Sequence, residues 1–274
     1  MLISLKNIRP KSIGELVRLG RNNDGGYIVP KLVLDRCHVL FGIGINDDWS
    51  FEEDFVLHVP HVKVVGIDGT AGVALLLRRS IIKLIQSIGS IATLNFKKAQ
   101  ERLFYPIKIF RFVRFFKSQI FLKKMLSTSD KKDCISLAFL FETYAGQNSP
   151  DNYIFLKMDI EGGEYDVLLE SGDLLIKQFN VGCIVLEFHA LGNNWGKFEK
   201  VVNFLQTHFV VVHVHANNCS PLISGTNVPE VIEITWLNMK FTSADTEFSQ
   251  LSYPIQGLDQ PCSSRLSDHS LDFT

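Results

Sequence analysis

The sequence has few cysteines, no uninterrupted apolar run of membrane-spanning length and almost no net charge, and each shortage excludes a class of protein. Its five cysteines are odd in number, widely spaced and free of any Cys-x-x-Cys pair, which argues against a disulfide framework and a cysteine-rich zinc site. They read as reduced thiols. The nearest approach to a membrane span, 73–94, is broken by Arg78, Arg79 and Lys83, short of the ~18 uninterrupted apolar residues required. The first six residues carry neither a charged leader nor a long apolar stretch, so they do not read as a signal peptide, and the expected location is cytoplasmic. No Gly-Lys-Ser/Thr follows a glycine-rich turn, which excludes a P-loop.

The near-neutral total of 28 Lys+Arg against 29 Asp+Glu hides an uneven distribution. Between Lys97 and Lys124 lie nine cations and one anion, Glu101, a local charge of +8 that leaves −9 on the remainder. With 46% apolar and 21% charged residues among 274, the chain can bury a full core. The expected organisation is a single domain over 1–274, carrying a basic, Phe-rich helical insert at 97–130 and a polar tail or lid at 240–274.

Short β-rich apolar runs alternate with helical stretches, the pattern of an α/β domain with a mostly parallel, doubly wound sheet. Seven strands are expected, at 38–45, 62–68, 91–96, 153–159, 182–189, 209–215 and 231–237, the last two forming a closing hairpin. Helical periodicity marks 72–88, 163–177 and 195–208, for example Phe198, Val201, Val202 and Leu205 at i, i+3, i+4, i+7.

In such a sheet, ligands bind beyond the carboxyl ends of the strands. The first strand ends in Gly42-Ile43-Gly44-Ile45-Asn46, and glycines two apart permit a tight turn against a ligand. The second ends in Asp68-Gly69, where a carboxylate can accept both hydroxyls of a ribose. Together they read as a nucleoside-cofactor site, although plain tight turns explain such glycine pairs equally well. The dinucleotide fingerprint lacks its third glycine, Asp47 standing there instead, which counts against a nicotinamide-dependent oxidoreductase. The fourth strand runs into Asp159 and Glu161, which share a side by the two-residue period and repel unless they bind a cation, a proton or a cationic ligand. Glu164 and Asp166 suit the first turn of the following helix.

The run Lys157-Met158-Asp159-Ile160-Glu161-Gly162-Gly163-Glu164 resembles the K-x-D-x-E-G-x-E signature of the FkbM-like methyltransferases. Asp24-Gly25-Gly26-Tyr27 upstream, and Glu187-Phe188-His189 and His213-Val214-His215-Ala216-Asn217-Asn218 downstream, are similar to further segments of that family. The resemblance spans about 18–237 and implies a Rossmann-like class I fold that uses S-adenosylmethionine. It implies Gly42 and Gly44 against the methionine part, Asp68 with Gly69 at the ribose, and Asp159 near the sulfonium or the acceptor. Asp24 and Asn46 are additional contacts, and Asp133 and Ser136 are candidates for adenine.

Methyl transfer to oxygen is an in-line displacement that needs positioning and a base. His189 is the first choice of base, with Asp159 and Glu161 beside it and Glu187 one period earlier to orient it. A hydrogen-bonded strand-end imidazole is the competing reading of His189. A divalent metal held by Asp159, Glu161, Glu187 and His189 is a minority alternative. Asn217 and Asn218 can reach an acceptor hydroxyl or simply form a turn. The expected acceptor is a small molecule or glycan. The basic block reads as a packed cap first, then as a contact with an anionic membrane through 97–124, and least as a nucleic-acid surface. A scaffold that keeps the fold without turnover is the non-enzymatic alternative.

Overall fold

A computed structural model of the chain describes residues 3–92, 96–146 and 152–274. After a short 3-10 turn at Lys6–Ile8 comes a two-stranded hairpin, β1 (Leu16–Leu19) and β2 (Tyr27–Pro30), and a short helix α1 (Lys31–Leu34). Then follow β3 (Cys37–Ile43), α2 (Ser50–His58), β4 (Lys63–Ile67) and three consecutive helices, α3 (Val73–Ala92), α4 (Phe96–Phe104) and α5 (Ile107–Ser118). Three short strands come next, β5 (Ile120–Leu122), β6 (Met125–Ser127) and β7 (Cys134–Ser136), followed by α6 (Leu137–Tyr144) and β8 (Tyr153–Met158). The remaining elements are α7 (Glu164–Lys177), β9 (Val181–Phe188), α8 (Leu191–Leu205), β10 (Phe209–Ala216) and β11 (Ile232–Asn238).

Seven strands form one sheet in the order β10-β11-β9-β8-β3-β4-β5. The pairs from β5 to β9 are parallel, and β11 enters antiparallel between β9 and β10. The order reverses between β3 and β8, so the crevice beyond their carboxyl ends is the topological switch point. One apolar cluster joins the sheet to α6, α7 and α8, and a second packs α1 and α2 on its other face. Central strands β8 and β9 are buried along their whole length, which explains their unbroken apolar runs.

Two expectations are corrected. Among the described residues no strand falls within 91–96: Ile91 and Ala92 end α3, Phe96 opens α4, and 93–95 lie outside the described residues. A short apolar run cannot be assigned to strand or helix by periodicity alone, and here Ile91 and Ala92 belong to α3. The third parallel strand is β5, inside the stretch expected to be an insert, so 97–130 contributes to the sheet as well as forming helices. Its three residues were too few to leave a pattern. Within the tail beyond 240, Tyr253, Asp259 and Cys262 are buried.

Candidate functional site

The crevice at the switch point is a cavity of about 320 Å³, within the range of small-ligand sites. Gly44 closes its floor. Its φ is +80°, and a Cβ there would meet the Asp159 carbonyl oxygen at 1.6 Å, so no side chain fits. This close approach sets the β3 loop against the β8 loop. Lys157, buried beneath, donates to the Gly44 carbonyl at 3.2 Å; burial opposes its charge, and the carboxyl groups of Asp159, Glu52 and Glu187 outweigh that and raise its pKa.

His189, at the end of β9, is the centre of an acidic group. Its Nε2 lies 3.5 Å from Glu161, 3.7 Å from Asp159 and 3.8 Å from Glu187. Its Nδ1 faces Glu164 at 3.4 Å. Burial opposes the imidazolium, but the Glu164 hydrogen bond and the carboxylates outweigh it and raise the pKa to about 9. Glu164 has a larger part than the helix dipole suggested. Fully buried, it accepts from the backbone N–H groups of Gly162 and His189, both at 2.8 Å, and ties the start of α7 to the end of β9.

Burial raises the pKa of Glu187 to about 8, reinforced by Asp159 and Glu233, the latter directly opposite it on β11. Tyr27 and Asn217 donate to its two oxygens at 3.2 and 3.0 Å. Burial likewise raises Asp159, against the lowering effect of Lys157 and His189. Ligand atoms of Asp159, Glu187 and His189 all lie within 4.8 Å of one another, a spacing that can hold a divalent ion.

The structure therefore brings Asp24, Gly44, Asn46, Asp159, Glu161 and His189 to one cavity. Gly42 does not line it: the glycine accommodates Glu52, whose Oε1 would lie 2.3 Å from a Cβ there. Asp68 is outside the cavity as well. Its carboxylate accepts from the backbone N–H groups of Asn46, Thr70 and Ala71 at 2.6 to 2.7 Å, which shapes both strand-end loops. Gly69 is covered by Met125. Asp133 and Ser136 stand apart from the cavity. Ser136 caps α6 by accepting from Phe139 N–H, and the Asp133 carbonyl accepts from Met125 N–H.

Sequence reasoning missed Arg21, which pairs with Asp48 at 2.7 Å and lines the cavity, and the roles of Tyr27 and Lys157. The Asp24-Gly25-Gly26-Tyr27 segment was the available signal for the first two. Behind Glu187 lies a second buried group. His215 contacts Glu233 at 3.3 Å and Asp268 at 3.0 Å, and Cys262 lies against Glu233. Asn218 donates to the carbonyls of Ser263 and Leu266, so the tail is bound along the sheet edge at the cavity rim.

A family model described as the methyltransferase FkbM domain matches residues 29–211, which run from β2 into β10 and include Gly44, Asp159, Glu161, Glu187 and His189 of the crevice. No curated protein matches the chain. Solved structures that match include the fibrillarin pre-rRNA processing protein of Methanococcus jannaschii, 8% identical, covering 75% of this chain and 68% of its own, with a TM-score of 0.37. Precorrin-6y C5,15-methyltransferase from Geobacter metallireducens is 14% identical, covering 76% of this chain and 85% of its own, with a TM-score of 0.35.

Proposed function

The chain belongs to the FkbM methyltransferase family, and from that premise we propose that it transfers a methyl group from S-adenosylmethionine to a hydroxyl oxygen, the acceptor being a sugar of a glycan, lipid-linked saccharide or secondary metabolite. The observation that carries this reading is the convergence of Gly44, Asp159 and His189 on one acidic crevice at the switch point.

The donor set suits the methionine half of the cofactor. Arg21 is available for its carboxylate, Asp24 for its ammonium and Asp159 for the sulfonium, and the glycine backbone allows close approach. Asp68 reaches the ribose from beside the cavity only if a ribose hydroxyl takes the place of the Thr70 hydroxyl, because its carboxylate already accepts from that hydroxyl and from three backbone N–H groups. When bound, the cofactor supplies an electrophilic methyl group. His189 takes the proton from the acceptor hydroxyl. With its pKa near 9, only about 1% is unprotonated at pH 7; a sulfonium held by Asp159 would oppose the imidazolium and shift the balance toward the base. Tyr27 and Asn217 hold Glu187, and Glu187 with Glu164 orients the ring.

Calorimetry with S-adenosylmethionine, its demethylated product and NAD tests the assignment. Binding of the first two is expected, with Asp68→Ala weakening both and His189→Ala sparing binding while lowering turnover by about 100-fold. Binding of NAD alone would overturn it. The 4.8 Å grouping of Asp159, Glu187 and His189 favours a second reading, in which a divalent ion there activates the acceptor oxygen. Under that reading chelation abolishes turnover and magnesium or manganese restores it.

A further inference from the structure

Helix α3 is amphipathic the wrong way round for a water-facing helix. Its inward side carries Ser80, Ser87 and Ser90, all buried, with their hydroxyls turned back to carbonyls of the same helix. Its outward side carries Leu77, Ile81, Leu84, Ile85 and Ile88, at the i, i+4, i+7, i+8, i+11 spacing of one helical face. Ile85 and Ile88 are 64% and 69% exposed. The helices packed on α3 continue the pattern: Phe96, Leu103 and Phe104 of α4 and Ile107, Phe110 and Val113 of α5 are also exposed. Soluble monomers do not leave apolar surface of this extent to water without a use.

Charge identifies the occupant. Between Gly69 and Ser129 the chain carries twelve Lys and Arg and one acid, Glu101. Some of these cations serve the fold. Arg79 and Lys108 pair with Asp47, and Arg111 with Glu53. Arg78, Arg114, Lys117 and Lys123 are exposed and form no ion pair among the described residues. A surface that is both apolar and strongly basic repels a second copy of itself, and its apolar share is excessive for tracking nucleic-acid phosphates. It matches the boundary of an anionic bilayer, where the side chains enter the acyl region and the cations meet lipid phosphates. No helix among the described residues is long and apolar enough to cross a membrane, so the contact is with one leaflet.

We propose that the α3–α5 layer is a docking surface for an anionic lipid bilayer, with the outward face of α3 inserted at the interface. The layer is attached to the rim of the crevice, because Asp47, which lines the cavity, is held by Arg79, Lys108 and Tyr105. Docking therefore brings the crevice close to the headgroups. Taken with the methyl-transfer reading, on which this clause alone rests, it selects a lipid-linked saccharide from the possible acceptors.

Co-sedimentation of the full-length protein with phosphatidylcholine vesicles, with and without about a third phosphatidylglycerol, tests the proposal. Binding is expected only to the anionic vesicles, and it falls as salt rises. Arg114→Glu/Lys117→Glu should weaken it by at least about 25-fold, at about fivefold for each cation removed. Ile85→Glu/Ile88→Glu should reduce it to background while leaving thermal stability and S-adenosylmethionine binding unchanged. Failure of the wild type to sediment overturns the proposal. Undiminished binding by the Ile85→Glu/Ile88→Glu protein does so too, by showing a purely electrostatic contact. A wild-type dimer that ignores vesicles and becomes monomeric in that variant would make the face a self-association surface instead. Vesicle binding without cofactor binding leaves the docking surface standing and removes the methyl-transfer reading.

Discussion

At the scale of single residues, the crevice depends on contacts that tolerate little change. Gly44 is the sharpest case, because a Cβ would meet backbone of another strand, which cannot rotate away. Gly44→Ala is expected to cost at least about 2 kcal/mol in chemical denaturation and to abolish cofactor binding. Full binding in a stable variant would show that the two loops can separate. His189 offers a kinetic test. Its pKa near 9 in the free protein predicts that kcat/KM for S-adenosylmethionine climbs with pH up to about 9 and that His189→Gln flattens the profile. A wild-type profile level between pH 7 and 10 would remove His189 as base.

At the scale of elements, the start of α7 and the end of β9 act as one unit through Glu164. Its carboxylate accepts N–H bonds from Gly162 and His189 and faces the imidazole. Glu164→Gln keeps the shape but replaces one accepting oxygen with a donor that opposes an N–H. A loss of about 2 kcal/mol in stability is expected, together with a lower His189 pKa in an NMR titration. An unchanged titration would mean that Asp159 and Glu187 alone set the charge on His189. Helix α3 shows a different element-scale effect, since its apolar positions were visible but their outward direction was not.

For the whole molecule, the buried histidines set a dependence of stability on pH. His215, between Glu233 and Asp268, has its pKa raised to about 10: burial opposes this, and the hydrogen bonds to the two carboxylates outweigh it. His189 is raised to about 9 and Glu187 to about 8. In all three the folded state holds a proton that the unfolded state has released, so folding weakens as pH rises. The histidine contributions are complete below the unfolded value of about 6.5 and are lost as pH passes through 9 to 10. The thermal midpoint should therefore fall between pH 6.5 and 10, less steeply in His215→Asn, which also loosens the tail that Asp268 anchors. A midpoint that is constant or rises over that interval would contradict the assignment.

Features encoded locally are legible in the residues alone: the alternation of elements, the glycine-bearing turn after β3, the acids that follow β8, and the family. Strand-end motifs are legible because a strand and its turn occupy a few adjacent residues. Which of those residues meet depends on how the whole chain packs. Tyr27 and Glu187 are 160 positions apart, and nothing in either neighbourhood encodes their hydrogen bond. Gly42 and Gly44 look alike in sequence, yet one accommodates Glu52 from the next helix and the other meets Asp159 across the sheet. The third parallel strand was missed because three residues leave no periodicity. The direction of the α3 apolar face also had to come from packing, because a helical pattern fixes which residues share a side and leaves open whether that side meets protein or solvent.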